Sequence, residues 1–582
     1  MSVINKINKL LTKFHKRDLL ILFFLILIGM FLEMLGLGVM IPAISVMLEP
    51  DIANKYPFLK PVLNFLGNPK QNLLVFYGMS ILVFIYFIKA CFILYLAWRQ
   101  SIFAANLSAE LSQKLFFGYL RLPYSFHLQR NSAHLIRNIQ SEVSVFSSLS
   151  QSVIFLSTEF AIILGVSCFL IFVEPVGALS ITAFLTLFAF FFHRITKKKL
   201  VSWGESRQYY AGIMGQFLMQ GLGGVKDVKL LGREKYFLNK YSEYNLKTAK
   251  LYSKYTTISQ VPRLYLELLA VIGLTGLISV MIYQSKPLAI LVPTIGVFVA
   301  AAFRLIPSVN RIMTSFQNIA YSLPAVNILV EEFEIINNQE IKESPFISNH
   351  FEFREKIEIK DINFTYTGSS KETLVNINIT IPKGAVIGFI GQTGSGKSTL
   401  VDLILGLLEP SKGIILVDGL GISNNIRSWQ NLLGYVPQSI YLTDDTIRKN
   451  IAFGIPDKDI NDSAVLNAIH LSQLEEFIEN LEDGLETLVG ERGVRLSGGQ
   501  RQRIGIARSL YYNPEVIVLD EATSALDTIT EQEVMKSLKK LHGIKTLIIV
   551  AHRLSTLEDC HIIYSLKNGR VISKGTPNEI LK

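Results

Sequence analysis

Apolar residues divide this 582-residue chain into two unlike parts. Long apolar runs extend from Leu19 to Met47, Leu73 to Trp98, Val153 to Val173, Val176 to Phe192, Leu264 to Tyr283 and Leu288 to Phe303, and none follows after about Gln339. A helix needs ~20 residues to cross a hydrocarbon core of ~30 Å, so these runs predict six membrane spans. Half of all residues are hydrophobic and 18% are charged, a balance between that of a soluble protein and that of a wholly membrane-embedded one. The length also exceeds what one core organises, so a membrane domain followed by a soluble one is expected.

The net charge of +10 does not point to nucleic acid, because the basic residues sit mostly between the apolar runs. Lys6, Lys9, Lys13, Lys16 and Arg17 precede the first run, and thirteen Lys or Arg lie between Arg194 and Lys254. The links between runs three and four and between five and six carry one basic residue, Lys286. This bias places both termini in the cytoplasm. The first run is too long for a signal-peptide core and reads as a retained span. Cys91, Cys168 and Cys560 are too scattered for a disulfide framework or a zinc site. In the first external loop, about Glu49 to Gln71, the stretch Tyr56 to Phe65 reads equally as an interfacial helix or a structured loop. Segments 99–149 and 194–262 keep helical periodicity, as in Leu107, Leu111, Leu115 and Tyr119. Spans two to five therefore continue as helices beyond the bilayer, with turns expected near Asn131-Ser132 and near Gly221 to Asp227.

Residues 1–335 are thus expected to form an all-α six-helix transmembrane domain, 336–352 a linker and 353–582 a soluble domain. In the soluble part, strand-like runs Ile357–Phe364, Ala385–Ile390, Ile414–Val417, Leu433–Val436, Val516–Leu519 and Thr546–Val550 alternate with helical segments. That alternation predicts an α/β domain with a largely parallel sheet.

Gly391-Gln392-Thr393-Gly394-Ser395-Gly396-Lys397-Ser398-Thr399 fits GxxxxGK[ST], with a strand before it and a helix expected over Thr399–Leu408. Glycines let backbone amides close around a phosphate, and the helix N-terminus adds an anion site. Lys397 suits the β and γ phosphates of ATP, and Ser398 suits Mg2+. Val516-Ile517-Val518-Leu519 leads into Asp520, suited to the metal's outer sphere, and Glu521, suited to general-base work on the attacking water.

Leu496-Ser497-Gly498-Gly499-Gln500 is identical to the signature of ATP-binding cassette proteins, and the other elements of that family follow in order over residues 353–582. The resemblance implies that Tyr366 stacks on adenine and that Gln438 senses Mg2+. It implies that Ser524-Ala525-Leu526-Asp527 forms the D-loop and that His552 contacts the γ phosphate. It also implies that Gly490 to Gly493 meets the membrane domain. In that family ATP is clasped between the phosphate loop of one domain and the signature of another. One chain carries one set, so a homodimeric ATPase is expected, with a heterodimer as the other option. Ser497, Gly498, Gly499 and Gln500 would face the partner's ATP. A gated channel, a peptide exporter and a soluble cassette protein fit less well, given the intact Glu521 and His552, the lack of a peptidase-like leader and the six spans.

The cargo must be read from the spans. Lys89, Arg263, Arg304 and Arg311 lie in or beside them, where a lipid-exposed charge costs ~2.5–3.5 kcal/mol. They suit an anionic group such as a pyrophosphate. Simpler roles are pairing of Arg263 with Glu267 at i,i+4 and snorkelling of Lys89. Pro262 to Glu267 and Phe303 to Arg311 resemble segments of the lipid-linked oligosaccharide flippases of bacterial protein N-glycosylation (the PglK type), with Lys89 where that type has arginine. The resemblance implies outward flipping of a polyprenyl-pyrophosphate-linked glycan across the bacterial inner membrane, with those four cations on the pyrophosphate. The alternative is an exporter of hydrophobic drugs or lipid A-like lipids.

Overall fold

The computed structural model describes residues 3–48, 71–173, 175–283, 288–338, 352–522, 528–551 and 553–581. The external-loop stretch Tyr56 to Phe65, the D-loop Ser524 to Asp527 and His552 lie outside them, as does most of the expected linker. The chain forms two compact units. One holds Met1–Leu122 and Arg130–Ile341; the other holds Pro123–Gln129 and Lys342–Lys582.

The first unit is built on six long helices: α1 (Lys13–Leu48), α2 (Gln71–Arg121), α3 (Val143–Val173), α4 (Pro175–Gly223), α5 (Glu234–Tyr283) and α6 (Leu288–Asn338). The 51 residues of α2 or α6 measure about 76 Å at 1.5 Å per residue, well over twice the hydrocarbon thickness. Among the described residues, Lys13–Gly36, Val75–Arg121, Ser132–Phe169 and Glu234–Gly276 are long and apolar enough to cross a membrane. Helix α2 shows how one helix serves two surroundings. Its N-terminal part turns Phe84 and Leu94 outward, as lipid allows, whereas the expected stripe Leu107, Leu111, Leu115 and Tyr119 is buried against neighbouring helices. Helix α5 runs unbroken through Pro262, so the fifth long helix begins well before that residue.

The turns form where the sequence lacks helical drive. Asn131 caps the short helix Ser132–Arg137 by accepting a hydrogen bond from the Ala133 amide at 2.9 Å, and a π turn, Asn138–Glu142, leads into α3. After Gly223 a six-residue helix, Val225–Leu230, precedes Gly232, whose φ of +63° ends it.

The second unit contains two sheets where the sequence suggested one. The strands are β1 (Lys356–Phe364), β2 (Leu374–Pro382), β3 (Val386–Gly391), β4 (Lys412–Val417), β5 (Leu420–Gly421), β6 (Leu433–Val436), β7 (Val516–Asp520), β8 (Thr546–Val550), β9 (Ile562–Lys567) and β10 (Arg570–Gly575). An antiparallel sheet has the order β2-β1-β4-β5, and a six-stranded sheet has the order β10-β9-β3-β8-β7-β6. The second sheet is parallel apart from the β9–β10 pair. Its central strands β7 and β8 are buried throughout, the mark of a sheet covered on both faces. Helix α7 (Lys397–Ile404) is shorter than the expected Thr399–Leu408. Gly406, at φ +67°, turns the chain where a Cβ would fall 2.2 Å from Ile426.

Candidate nucleotide-binding site

The loop between β3 and α7 is shaped by contacts that only glycine permits. A Cβ at Gly391 would lie 2.3 Å from the Leu566 carbonyl oxygen, and Gly394 and Gly396 adopt φ of +81° and +101°. Gln392, Thr393, Gly394 and Ser398 face outward, whereas Ser395, Lys397 and Thr399 are buried. The Lys397 ammonium donates to the Gly391 carbonyl at 2.7 Å and to that of Gln392 at 3.2 Å. Burial pushes its pKa down, opposed by the carboxylates of Glu521 and Asp520. The buried Ser395 hydroxyl has no hydrogen-bond partner, leaving an unpaired donor inside a cationic, amide-lined loop. That is the chemistry of an anion cradle.

Tyr366 is fixed at the other side of α7. Its hydroxyl lies 3.0 Å from the Thr399 hydroxyl, and its ring meets Phe364 edge-on at 4.9 Å. Strand β7 delivers Asp520, which pairs in register with Val550 of β8, and then Glu521. Glu521 adopts φ +50°, uncommon for a residue with a Cβ, and its amide donates to the Val550 carbonyl at 2.9 Å. The Gln438 side-chain amide donates to Glu521 Oε2 at 2.6 Å. Lys397, Asp520, Glu521 and Gln438 therefore converge, although 41 residues or more separate Lys397 from the other three in sequence. Ser497 caps helix α8 (Gly498–Leu510). Its hydroxyl accepts from the Gln500 amide at 3.1 Å, and the Gln500 side chain accepts from the Ser497 amide at 2.8 Å. Gly498 and Gly499 form the first turn of that helix.

Three of the four candidate substrate cations are ion-paired. Lys89 bonds Glu33 at 2.8 Å with its ammonium 4.5 Å from the Tyr86 ring centroid, Arg263 bonds Glu267 at 2.9 Å, and Arg311 bonds Glu159 at 2.6 Å. The Arg304 side chain lies outside the described set. Arg263 thus takes the simpler i,i+4 role. Glu33 and Glu159, both buried, were not singled out from the sequence, though an acid inside an apolar run is itself a signal.

Two family models match the chain: "ABC transporter" over residues 374–524 and "ABC transporter transmembrane region" over residues 19–272. An "ATP-dependent lipid A-core flippase" of Syntrophus aciditrophicus (strain SB) is 31% identical over 509 residues, covering 86% of this chain and 82% of the relative. A protein of the same description from Nitrosococcus oceani is 29% identical and covers 82% and 79%. The fold matches that of a bacterial Atm1-family ABC exporter solved with ATP bound, with a TM-score of 0.80, 23% identity and coverage of 97% and 96%. With both domains matched in one polypeptide, the chain belongs to the ATP-binding cassette exporters, as a half-transporter whose ATPase activity is coupled to transport across a membrane.

Proposed function

We propose that this transporter flips an anionic glycolipid of the lipid A class from the cytoplasmic to the outer leaflet, working as a homodimer with both termini cytoplasmic. The observation that carries this reading is the similarity to lipid A-core flippases over 86% of the chain. It supports the lipid A-like alternative better than a polyprenyl-pyrophosphate-linked glycan. The intramembrane pairs agree with an amphipathic anion as cargo. A lipid phosphate can replace the Glu159 carboxylate on Arg311, exchanging one charge-assisted bond for another.

In the nucleotide domain Tyr366 would stack on adenine, and the loop from Gly391 to Thr399 would hold the phosphates with Lys397 on the β and γ groups. Ser398, Asp520 and Gln438 offer a hydroxyl, a carboxylate and an amide oxygen, a hard all-oxygen set that suits Mg2+. Bound there, the ion would supply charge neutralisation at the phosphate oxygens. Glu521 would polarise the attacking water, held in place by Gln438, with His552 on the γ phosphate. Ser497, Gly498, Gly499 and Gln500 of the second copy would close the site.

Proteoliposomes provide the test. Hexa-acylated lipid A is expected to stimulate ATPase by about threefold and to be flipped only with hydrolysable ATP, while Arg311→Ala slows flipping by about tenfold. Stimulation by a polyprenyl-pyrophosphate oligosaccharide, with no response to lipid A, would return the assignment to the glycan carrier.

A further inference from the structure

At the turn between α2 and α3 a fully buried carboxylate meets two mostly buried guanidiniums, whose side chains are 11% and 14% exposed. Glu142, at the end of the π turn, has no exposed surface. Arg207 of α4 approaches it with Nη2 2.9 Å from Oε2, while Arg137 Nε stands 3.9 Å from Oε1, beyond hydrogen-bond reach. Arg137 also donates to the Gln208 carbonyl at 3.2 Å and to Asn138 Oδ1 at 2.8 Å, and Asn138 donates to the Tyr119 hydroxyl at 3.2 Å. The Arg207 guanidinium lies 6.0 Å from the Tyr321 ring centroid of α6. Helix α4 thus meets the carboxylate directly through Arg207, while α2 reaches the turn through Asn138 and α6 reaches the Arg207 guanidinium.

The surroundings are built to fit. A Cβ on Gly212 would lie 2.7 Å from Arg137 Nη1, and one on Gly204 would lie 2.1 Å from the Tyr321 carbonyl oxygen. Both glycines let α4 come close enough to enclose the charges. Yet the cluster is not fully satisfied. Arg137 Nε, Glu142 Oε1 and Arg207 Nε are buried without hydrogen bonds. An approach of about 1 Å between Arg137 Nε and Glu142 Oε1 would satisfy two of the three. Rigidity alone is better served by an apolar core or a complete network, so a slack contact between opposite charges suits an element with two arrangements. The π turn beneath it is a rare conformation often found at functional sites.

Chain connectivity says what could move it. Pro123–Gln129 belongs to the nucleotide-binding unit, and the helix ending at Arg137 begins three residues later. We propose that Glu142 is a positioning residue for coupled transport. It holds Arg207 and tightens onto Arg137 during turnover, so that Ser132–Glu142 moves as one body with α4 and α6. Displacement of Pro123–Gln129 then passes into the spans. This rests on the ATP-driven exporter assignment and not on the identity of the lipid.

The experiment is hydrogen–deuterium exchange of the full chain in nanodiscs, with and without Mg-ATP and vanadate, beside basal ATPase. In the wild type, nucleotide is expected to protect residues 391–405 and to alter exchange in 132–142 and 196–212. Glu142→Gln is expected to keep protection at 391–405 and basal ATPase within about twofold, while the response at 196–212 falls by about threefold or more. Glu142→Asp restores it, and the double variant Glu142→Gln/Arg207→Gln, which removes both members of the 2.9 Å pair, stays uncoupled with a melting temperature at or above that of Glu142→Gln. A wild-type response at 196–212 in Glu142→Gln, or in the double variant, overturns the proposal. So does loss of both responses together with the melting temperature.

Discussion

Asp402 lies in the second turn of α7, half-buried, and burial together with the Asp520 carboxylate pushes its pKa up to about 6. A carboxyl raised in the folded state favours folding fully below its unfolded value of about 4, and that contribution disappears as the pH rises through about 6. At neutral pH and above the site therefore carries an ionised group in a poor environment. Asp402→Asn removes the charge without changing the shape. Its partial exposure screens the effect, so the expected rise in apparent melting temperature is only about 2–4 °C at pH 8, vanishing near pH 4. Thermal scans of the purified full chain at the two pH values measure this. An equal shift at both would show that packing, and not ionisation, is responsible.

Elements differ in how plainly the sequence announced them. The loop from Gly391 to Thr399 and strand β7 were legible because phosphate chemistry and a fully buried strand each demand particular residue types in consecutive positions. Strand β2 was passed over although Leu374 to Pro382 alternates apolar residues with Asn and Thr, the period-two signal of a strand with one covered face, because the strand-like runs picked out were mostly continuous apolar ones, the mark of a sheet covered on both faces. The stripe from Leu107 to Tyr119 gave its helix but not its depth, since apolar residues in α2 face lipid at one end and protein at the other. Glu33 and Glu159 stand out as acids inside apolar runs, but their pairing with Lys89 and Arg311 was hidden, because contact across helices leaves no trace in local spacing. Helix α8 shows how one residue can hold two roles. Ser497 caps it, and by the proposed mechanism also faces ATP of the second copy. Ser497→Ala should cost about 1 kcal/mol of stability and slow ATPase turnover by about tenfold, with ATP affinity changed by no more than about threefold. Aspartate caps as well as serine but places an anion before the phosphate. Ser497→Asp should therefore melt like the wild type and hydrolyse no ATP. Hydrolysis at the wild-type rate by Ser497→Asp would remove Ser497 from the site.

At the scale of the molecule, the half-transporter leaves surface that a single copy does not cover. The helix Val225–Leu230 buries no residue, and its last residue Leu230 and the following Leu231 are 80% and 63% exposed, in a segment outside the apolar windows where lipid would cover them. Apolar surface of this kind points to a protein partner, and in the proposed homodimer a second copy would supply it while also providing the signature that faces the phosphate loop. If ATP joins two copies, blocking hydrolysis should preserve the joint. Glu521→Gln keeps the size of the side chain and its place beside Gln438 but removes the base, which typically contributes 10²–10⁴-fold to rate, so turnover should fall by about that factor. With Mg-ATP the variant should elute, detergent accounted for, as a species of twice the 65.4 kDa chain mass and retain one ATP per chain after gel filtration. Light scattering and nucleotide release by acid measure the two quantities together. A monomer that keeps its ATP would separate nucleotide binding from dimerisation, and with it the mechanism by which one chain's phosphate loop and another's signature share a single ATP.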